Sequence, residues 1–246
     1  MQYPGFAPRD IAGHRRVGSV AARAARVLTR LLARTTVTGR ERVPEGPVVF
    51  APYHASMLDP VVVGIAVWRQ GRMPHFLAKD SLFTGPLGRL LKAMGQIPVL
   101  RASALAGDSL QYGKQALEAG ESVVIYPQGT LTKDPELWPQ RSKTGAARLA
   151  IEAGVPVVPV AHWGLDPILP VGGKVPRPHP FSRVRVSFCE PLAPPVPSVS
   201  AGHSGPAQTR RFADRITAAI AAELAELRGV PLPERFRPDL EPQEDV

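Results

Sequence analysis

Cysteine is nearly absent from this 246-residue chain: Cys189 stands alone, so no intrachain disulfide can form, and no Cys/His cluster has zinc-ligand spacing. Disulfide-stapled secreted scaffolds and zinc modules are excluded. Long apolar runs are missing too. A spanning helix needs roughly 18 consecutive apolar residues; Val61–Trp68 stops at Arg69, and the charge-free run from Ala153 to Leu165 is broken by two prolines. The N-terminus lacks an uninterrupted secretory core, because Arg23, Arg26, Arg30 and Arg34 divide it. The expected compartment is the cytoplasm. Aromatic residues are only 6% of the chain, with no basic/aromatic stacking pattern and no recognition-helix signature, which argues against nucleic acid as a partner.

Positive charge is plentiful. Thirty Lys plus Arg against 21 Asp plus Glu leave a net charge of +9, so the natural partners are anionic surfaces or phosphorylated molecules. With 44% hydrophobic and 21% charged residues the composition is that of a globular protein. The segment from residue 16 to 34 has helical periodicity. At 100° per residue Arg16, Arg23, Arg26, Arg30 and Arg34 occupy an arc of about 80°, with Val17, Val20, Ala24, Leu28, Leu31 and Leu32 in the adjoining arc. Two readings fit: a helix lying in the headgroup region of an anionic membrane, or a terminal helix packed on the domain with its arginines in water.

From residue 37 short β-branched runs alternate with helical stretches and Gly/Pro turns, the rhythm of an α/β domain with a mixed, mostly parallel sheet flanked by helices. Strands are predicted at Pro47–Ala51, His75–Ala78, Gln96–Leu100, Ser122–Tyr126, Val155–Ala161 and Arg183–Phe188, and helices at 60–69, 83–93, 104–119 and 144–153. Asp59-Pro60 reads as an N-cap followed by a first-turn proline. The prolines in Val155–Val160 suggest an edge strand or a bend beside a cavity. Residues 191–209 carry no Asp, Glu, Lys or Arg and read as a linker, followed by an amphipathic helix at 207–228 closed by Gly229. The expected organisation is a basic N-terminal segment 1–36, a domain 37–229 that includes the linker and C-terminal helix, and a loose acidic tail 230–246.

The first chemical constellation is His54-Ala-Ser-Met-Leu-Asp59, between a predicted strand and a helix. An imidazole is the usual general base for a hydroxyl near neutral pH, and a carboxylate beside it fixes its tautomer and stabilises the imidazolium. The spacing alone also suits a loop histidine and a helix-capping aspartate. Next, Gly95–Arg101 puts an arginine after a short strand, where a guanidinium can grip a phosphate bidentately. Val124–Thr130 then ends a strand in a turn, Pro127-Gln128-Gly129-Thr130, of the type whose backbone N–H groups can face an anion.

Taken in order over residues 37–190, these three blocks and the Val155–Val160 strand resemble the glycerolipid acyltransferases, the 1-acylglycerol-3-phosphate and other lysophospholipid acyltransferases. The resemblance implies that His54 removes the proton of an acceptor hydroxyl, which attacks the thioester carbonyl of acyl-CoA or an acyl carrier protein, and that Asp59 orients and charges the histidine. It implies no acyl-enzyme, no cofactor beyond that thioester co-substrate and no metal. Arg101, Lys79 and the Gln128-Gly129-Thr130 turn fall on its substrate-binding positions. The cleft is expected at strand ends, with His54 and Asp59 near one end and Arg101 and this turn near the other.

The third block departs from the family's usual Pro-Glu-Gly-Thr-Arg: Gln128 stands for the glutamate and Leu131 for the arginine. Gln128 is nearly isosteric but uncharged, and Leu131 cannot hold phosphate, so phosphate recognition shifts to Arg101, Lys79 and either Lys133 or Lys143. The expected activity is acylation of a lysophospholipid, foremost 1-acylglycerol-3-phosphate, in phospholipid synthesis. An aminolipid or glycolipid acceptor, or a weakened lipid-binding protein of the same fold, are the alternatives. A membrane-resident acceptor also gives the basic helix a use, placing the protein peripherally on the cytoplasmic face of the cell membrane.

Overall fold

The computed structural model describes residues 11–99, 106–177, 179, 182–196 and 205–237. Among these residues there are six α-helices: α1 (Ile11–Leu32), α2 (Asp59–Trp68), α3 (Gly85–Ala93), α4 (Ala106–Glu118), α5 (Gly145–Ala153) and α6 (Pro206–Arg228). Seven strands, β1 (Arg34–Thr38), β2 (Val49–Pro52), β3 (Pro74–Lys79), β4 (Ile97–Val99), β5 (Ser122–Val124), β6 (Val157–Trp163) and β7 (Arg183–Phe188), form one sheet in the order β1-β7-β6-β2-β5-β3-β4. All pairings are parallel except β6 with β7. This is the mixed, mostly parallel sheet expected from the alternation of strands and helices.

Two apolar layers sandwich the sheet, one on each face. On one, Val62, Val63, Ala66 and Val67 of α2 pack against Phe50, Val158, Val160, Val184 and Val186. On the other, α5 and α6 supply Ala147, Leu149, Phe212, Ile216 and Leu224 against Val49, Val123 and Val157. The fully buried central strands explain why β2 and β5 read as continuous apolar runs instead of alternating ones. α1 covers α2: Trp68 donates its indole N–H to Ser19 at 3.3 Å, and the Met73 side chain fills the space over Gly18. Arg15 ties the start of α1 to the sheet through Glu121 at 2.8 Å. Burial opposes ionisation of Glu121, but His75 and Arg15 outweigh it and hold its carboxyl below the usual range.

Several boundaries differ from the sequence reading. The first helix begins at Ile11 and ends at Leu32, because Arg34–Thr38 pairs with Arg183–Ser187 as strand β1. The expected division at residue 36 therefore falls inside a strand of the sheet. Gly39, at φ +70, turns the chain out of β1 so close to the Phe188 carbonyl that no Cβ would fit. β6 is an interior strand, not an edge. Pro159 sits between the isolated Val157–Leu192 bridge and the Val160–Phe188 ladder, where its missing N–H breaks no pairing, while its carbonyl accepts from Cys189 N–H.

The C-terminal expectations also shift. Of the proposed linker, Leu192 bridges to Val157, residues 197–204 lie outside the described residues, and α6 starts at Pro206. Residues 230–237 are not a loose tail: Phe236 packs on Trp138 with ring centroids 5.8 Å apart, and Arg235 pairs with Asp134 at 2.6 Å. Residues 238–246 lie outside the described residues.

Candidate active site

The parallel strands β2, β5 and β3 all end at one rim of the sheet, and the chemistry-bearing residues follow those ends. His54 is two residues beyond β2, and the loop it opens closes on Asp59, the first residue of α2. Asp59 is not a conventional N-cap. Its carboxylate turns back over the loop, and Oδ2 accepts the N–H groups of Ala55 at 2.6 Å and Ser56 at 2.9 Å together with His54 Nδ1 at 2.9 Å. Asp59 is fully buried and His54 is 17% exposed, so the carboxylate lies behind the ring and the ring faces the rim.

A second imidazole shares that carboxylate. His162, near the end of β6, brings Nε2 within 3.4 Å of Asp59 Oδ2 and 3.0 Å of the Tyr53 carbonyl. Tyr53 stacks on it with ring centroids 4.5 Å apart and donates its hydroxyl to the His162 carbonyl at 3.0 Å. Burial opposes the charge on Asp59, but His162 first and His54 second overcome this and hold the carboxyl below its ordinary range. Conversely, burial disfavours a charged His162, yet Asp59 raises its pKa above the usual value.

The backbone of His54 is gripped from the β5 side. Its N–H donates to Gln128 Oε1 at 2.7 Å, and its carbonyl accepts the Thr132 N–H at 2.7 Å. Its ring packs on Tyr126, centroids 4.5 Å apart. Burial and the nearby Asp59 push the Tyr126 phenol well above its usual pKa, so the ring supplies packing and no titrating group. The Gln128 turn is thus not at the far end of a cleft from His54. β2 and β5 are adjacent, and the turn that follows β5 sits directly against the loop that follows β2.

Gln128, expected among the substrate-binding residues, is buried with its Oε1 turned to the His54 backbone. Gly129, at φ +72, makes the left-handed bend that exposes Thr130. Over this bend lies Lys143, whose ammonium is 3.4 Å from where a Cβ on Gly129 would be and whose backbone N–H donates to the Pro127 carbonyl at 2.8 Å. Lys79 is exposed at the end of β3. It is two strands from β2, so about 10 Å of sheet separates it from the His54 loop. Arg101 lies outside the described residues. His162 and Tyr126 carry no sequence signal of a role, since only the strand order brings them to Asp59 and His54.

With Nδ1 donating to a buried carboxylate, the His54 Nε2 carries the lone pair and makes no hydrogen bond among the described residues. Such an imidazole can take a proton from a hydroxyl held at the rim, and the carboxylate behind it stabilises the cation formed. Among the described residues no group of three or more His, Cys, Asp or Glu could hold a metal ion.

Similarity to known proteins agrees with this constellation. The Acyltransferase family model matches residues 34–163. A chloroplastic 1-acyl-sn-glycerol-3-phosphate acyltransferase of Brassica napus is 32% identical over 145 residues, covering 57% of this chain and 40% of that protein. A Pseudomonas aeruginosa 1-acyl-sn-glycerol-3-phosphate acyltransferase is 30% identical over 139 residues, covering 55% of this chain and 52% of that protein. The chain thus spans about half the length of these relatives, or less. The crystal structure of the 1-acyl-sn-glycerophosphate acyltransferase PlsC from Thermotoga maritima shares the fold, with a TM-score of 0.60 at 22% identity over 89% of this chain and 79% of that one. The matched segment runs from β1 to the end of β6 and contains His54, Asp59 and the Gln128 turn: the chain belongs to the acyltransferase family.

Proposed function

We propose that this protein transfers a fatty acyl group from acyl-CoA or an acyl carrier protein to the free hydroxyl of 1-acylglycerol-3-phosphate, in phospholipid synthesis. The observation that carries the reading is the His54 Nδ1–Asp59 Oδ2 contact of 2.9 Å with Nε2 turned to the rim. As the acceptor oxygen bonds to the thioester carbon, its proton passes to Nε2. When the C–S bond breaks, the imidazolium returns that proton to the departing thiolate, so neither base nor carboxylate is consumed. Arg101, Lys79 and the Gly129-Thr130 bend contribute the substrate-binding positions, and Lys143 supplies beside that bend the cation that Leu131 lacks.

Membrane docking by α1 completes the reading. Val20, Val27 and Leu28 are 67%, 63% and 60% exposed on this helix, next to its arginines, a pattern that suits a helix resting among the headgroups of an anionic leaflet. No helix among the described residues is long and apolar enough to cross a membrane. The proposed setting is the cytoplasmic face of the cell membrane, held peripherally.

Incubation with labelled acyl-CoA, or labelled acyl carrier protein, and a panel of lysolipids tests the assignment. 1-Acylglycerol-3-phosphate is expected to be the preferred acceptor, and His54→Ala to abolish transfer while leaving the protein folded. Transfer by His54→Ala at the wild-type rate, or preference for an acceptor without phosphate, would overturn it.

A further inference from the structure

The C-terminal half of α1, the first residues of β1 and the outer side of α2 enclose a half-open cavity of about 310 Å³. Arg26, Arg30, Arg34 and Arg69 line it. Arg26 and Arg30 belong to α1, Arg34 opens β1 and Arg69 follows α2, so the fold adds Arg69 to arginines that local periodicity already aligns. None pairs with a carboxylate among the described residues. Arg40 stands nearby, but its guanidinium is engaged with the Arg69 carbonyl at 2.8 Å. Desolvation and then repulsion from Arg26, Arg40 and Arg30 lower the Arg69 pKa.

Four cations without a carboxylate partner around one cavity make it attractive to an anion. A guanidinium fork matches a phosphate in plane and spacing better than an ammonium does. The floor is apolar, formed by Ala33, Val62 and Ile65, which suits a ligand whose charged end is followed by hydrocarbon. The exposed Val27 and Leu28 follow Arg26 on the same helix, so the cavity adjoins the helix read as the docking element.

We propose that this cavity binds the phosphate headgroup of an anionic membrane lipid, at a site separate from the acceptor site at His54. The proposal rests on the reading of α1 as the docking helix. It differs from a diffuse basic face in requiring guanidinium geometry at particular residues. α2 joins the two sites, carrying Asp59 in its first turn and Arg69 just past its last.

The test is binding of the full chain to phosphatidylcholine vesicles with and without phosphatidylglycerol. The double variant Arg26→Lys/Arg69→Lys keeps the net charge and is expected to bind the phosphatidylglycerol vesicles about tenfold more weakly, because the forked contacts are lost. Arg16→Gln/Arg23→Gln removes two charges outside the cavity and is expected to lose only about twofold, as a screened surface effect. Wild-type affinity in the Lys/Lys variant overturns the proposal in favour of diffuse attraction. Adding CoA as a soluble phosphate source separates the two origins of the anion. Displacement of wild type from vesicles by CoA, absent in the Lys/Lys variant, would assign the cavity to a soluble ligand and overturn the lipid. Val27→Asp/Leu28→Asp tests the docking helix itself: undiminished vesicle binding there would sink that reading, independently of the lysine result.

Discussion

Gln128 holds the backbone of His54 in place: its Oε1 accepts the His54 N–H at 2.7 Å from a fully enclosed position beside the strand end. The other half of the amide, Nε2, is buried with no hydrogen bond among the described residues. The side chain therefore acts as an acceptor only, which a carboxylate could also do. A glutamine can therefore make the contact that the family's usual glutamate could make at this position. Gln128→Ala should leave a buried N–H unpaired and cost about 1–3 kcal/mol of stability together with a marked fall in kcat. Gln128→Glu should keep the base in position and retain most activity. Thermal melts and kcat for the pair check this, and an alanine variant as active as wild type would refute the positioning role.

Asp59 couples the site to acid. Its carboxyl is held below the ordinary range, so the stability it contributes is complete above the unfolded value of about 3.9 and is lost as pH falls through the lower folded value. Asp59→Asn should flatten that acid limb of the stability profile. It should also lower kcat by about 10²–10⁴, because an amide neither fixes the His54 tautomer nor stabilises the imidazolium. Denaturant titrations across acid pH, paired with rates at neutral pH, are the measurement.

His162 has the opposite sign. Its pKa is raised, so its favourable contact with Asp59 is fully present below about 6.5 and fades as pH rises through the folded value. His162→Ala should destabilise the protein by about 2–4 kcal/mol, since it empties the space stacked under Tyr53. The gap between wild type and variant should narrow from pH 6 towards alkaline pH. A gap independent of pH would mean that only the packing matters.

Arg228 closes the far side of the fold. Its guanidinium lies 4.4 Å from the Trp138 ring centre and 4.5 Å from that of Trp163, and donates to the Glu136 carbonyl at 3.0 Å. Arg228→Ala should cost about 2 kcal/mol. For a chain of this size that lowers Tm by roughly 4–8 °C, with little change in kcat. Scanning calorimetry beside an activity assay separates the two.

Much of this arrangement was legible in the chain. Arg183–Phe188 alternates cleanly and was bounded correctly, and the helices were placed within a few residues because apolar periodicity and Gly caps agree there. β1 has no counterpart in the sequence reading: Arg34-Thr-Thr-Val-Thr38 is a short, half-exposed edge strand, and its first residue continues the arginine periodicity of the preceding helix. Pro159 misled because proline reports on one N–H, and the consequence depends on what lies opposite it. His54 and Asp59 were readable as a pair since five residues of loop bring them together. His162 was not, because 103 positions separate it from Asp59 and only the β2–β6 pairing makes them neighbours.

α2 is apolar on nearly every side, with its run from Val62 to Val67 buried beneath α1 and against the sheet. A helix of that character has no solvent-tolerant face to fall back on. The N-terminal helix is consequently a wall of the molecule as well as its outermost surface, and a chain shortened to begin at β1 would present bare hydrocarbon to water and aggregate. If α1 docks as proposed, a force on it passes straight to α2, the element that begins with Asp59.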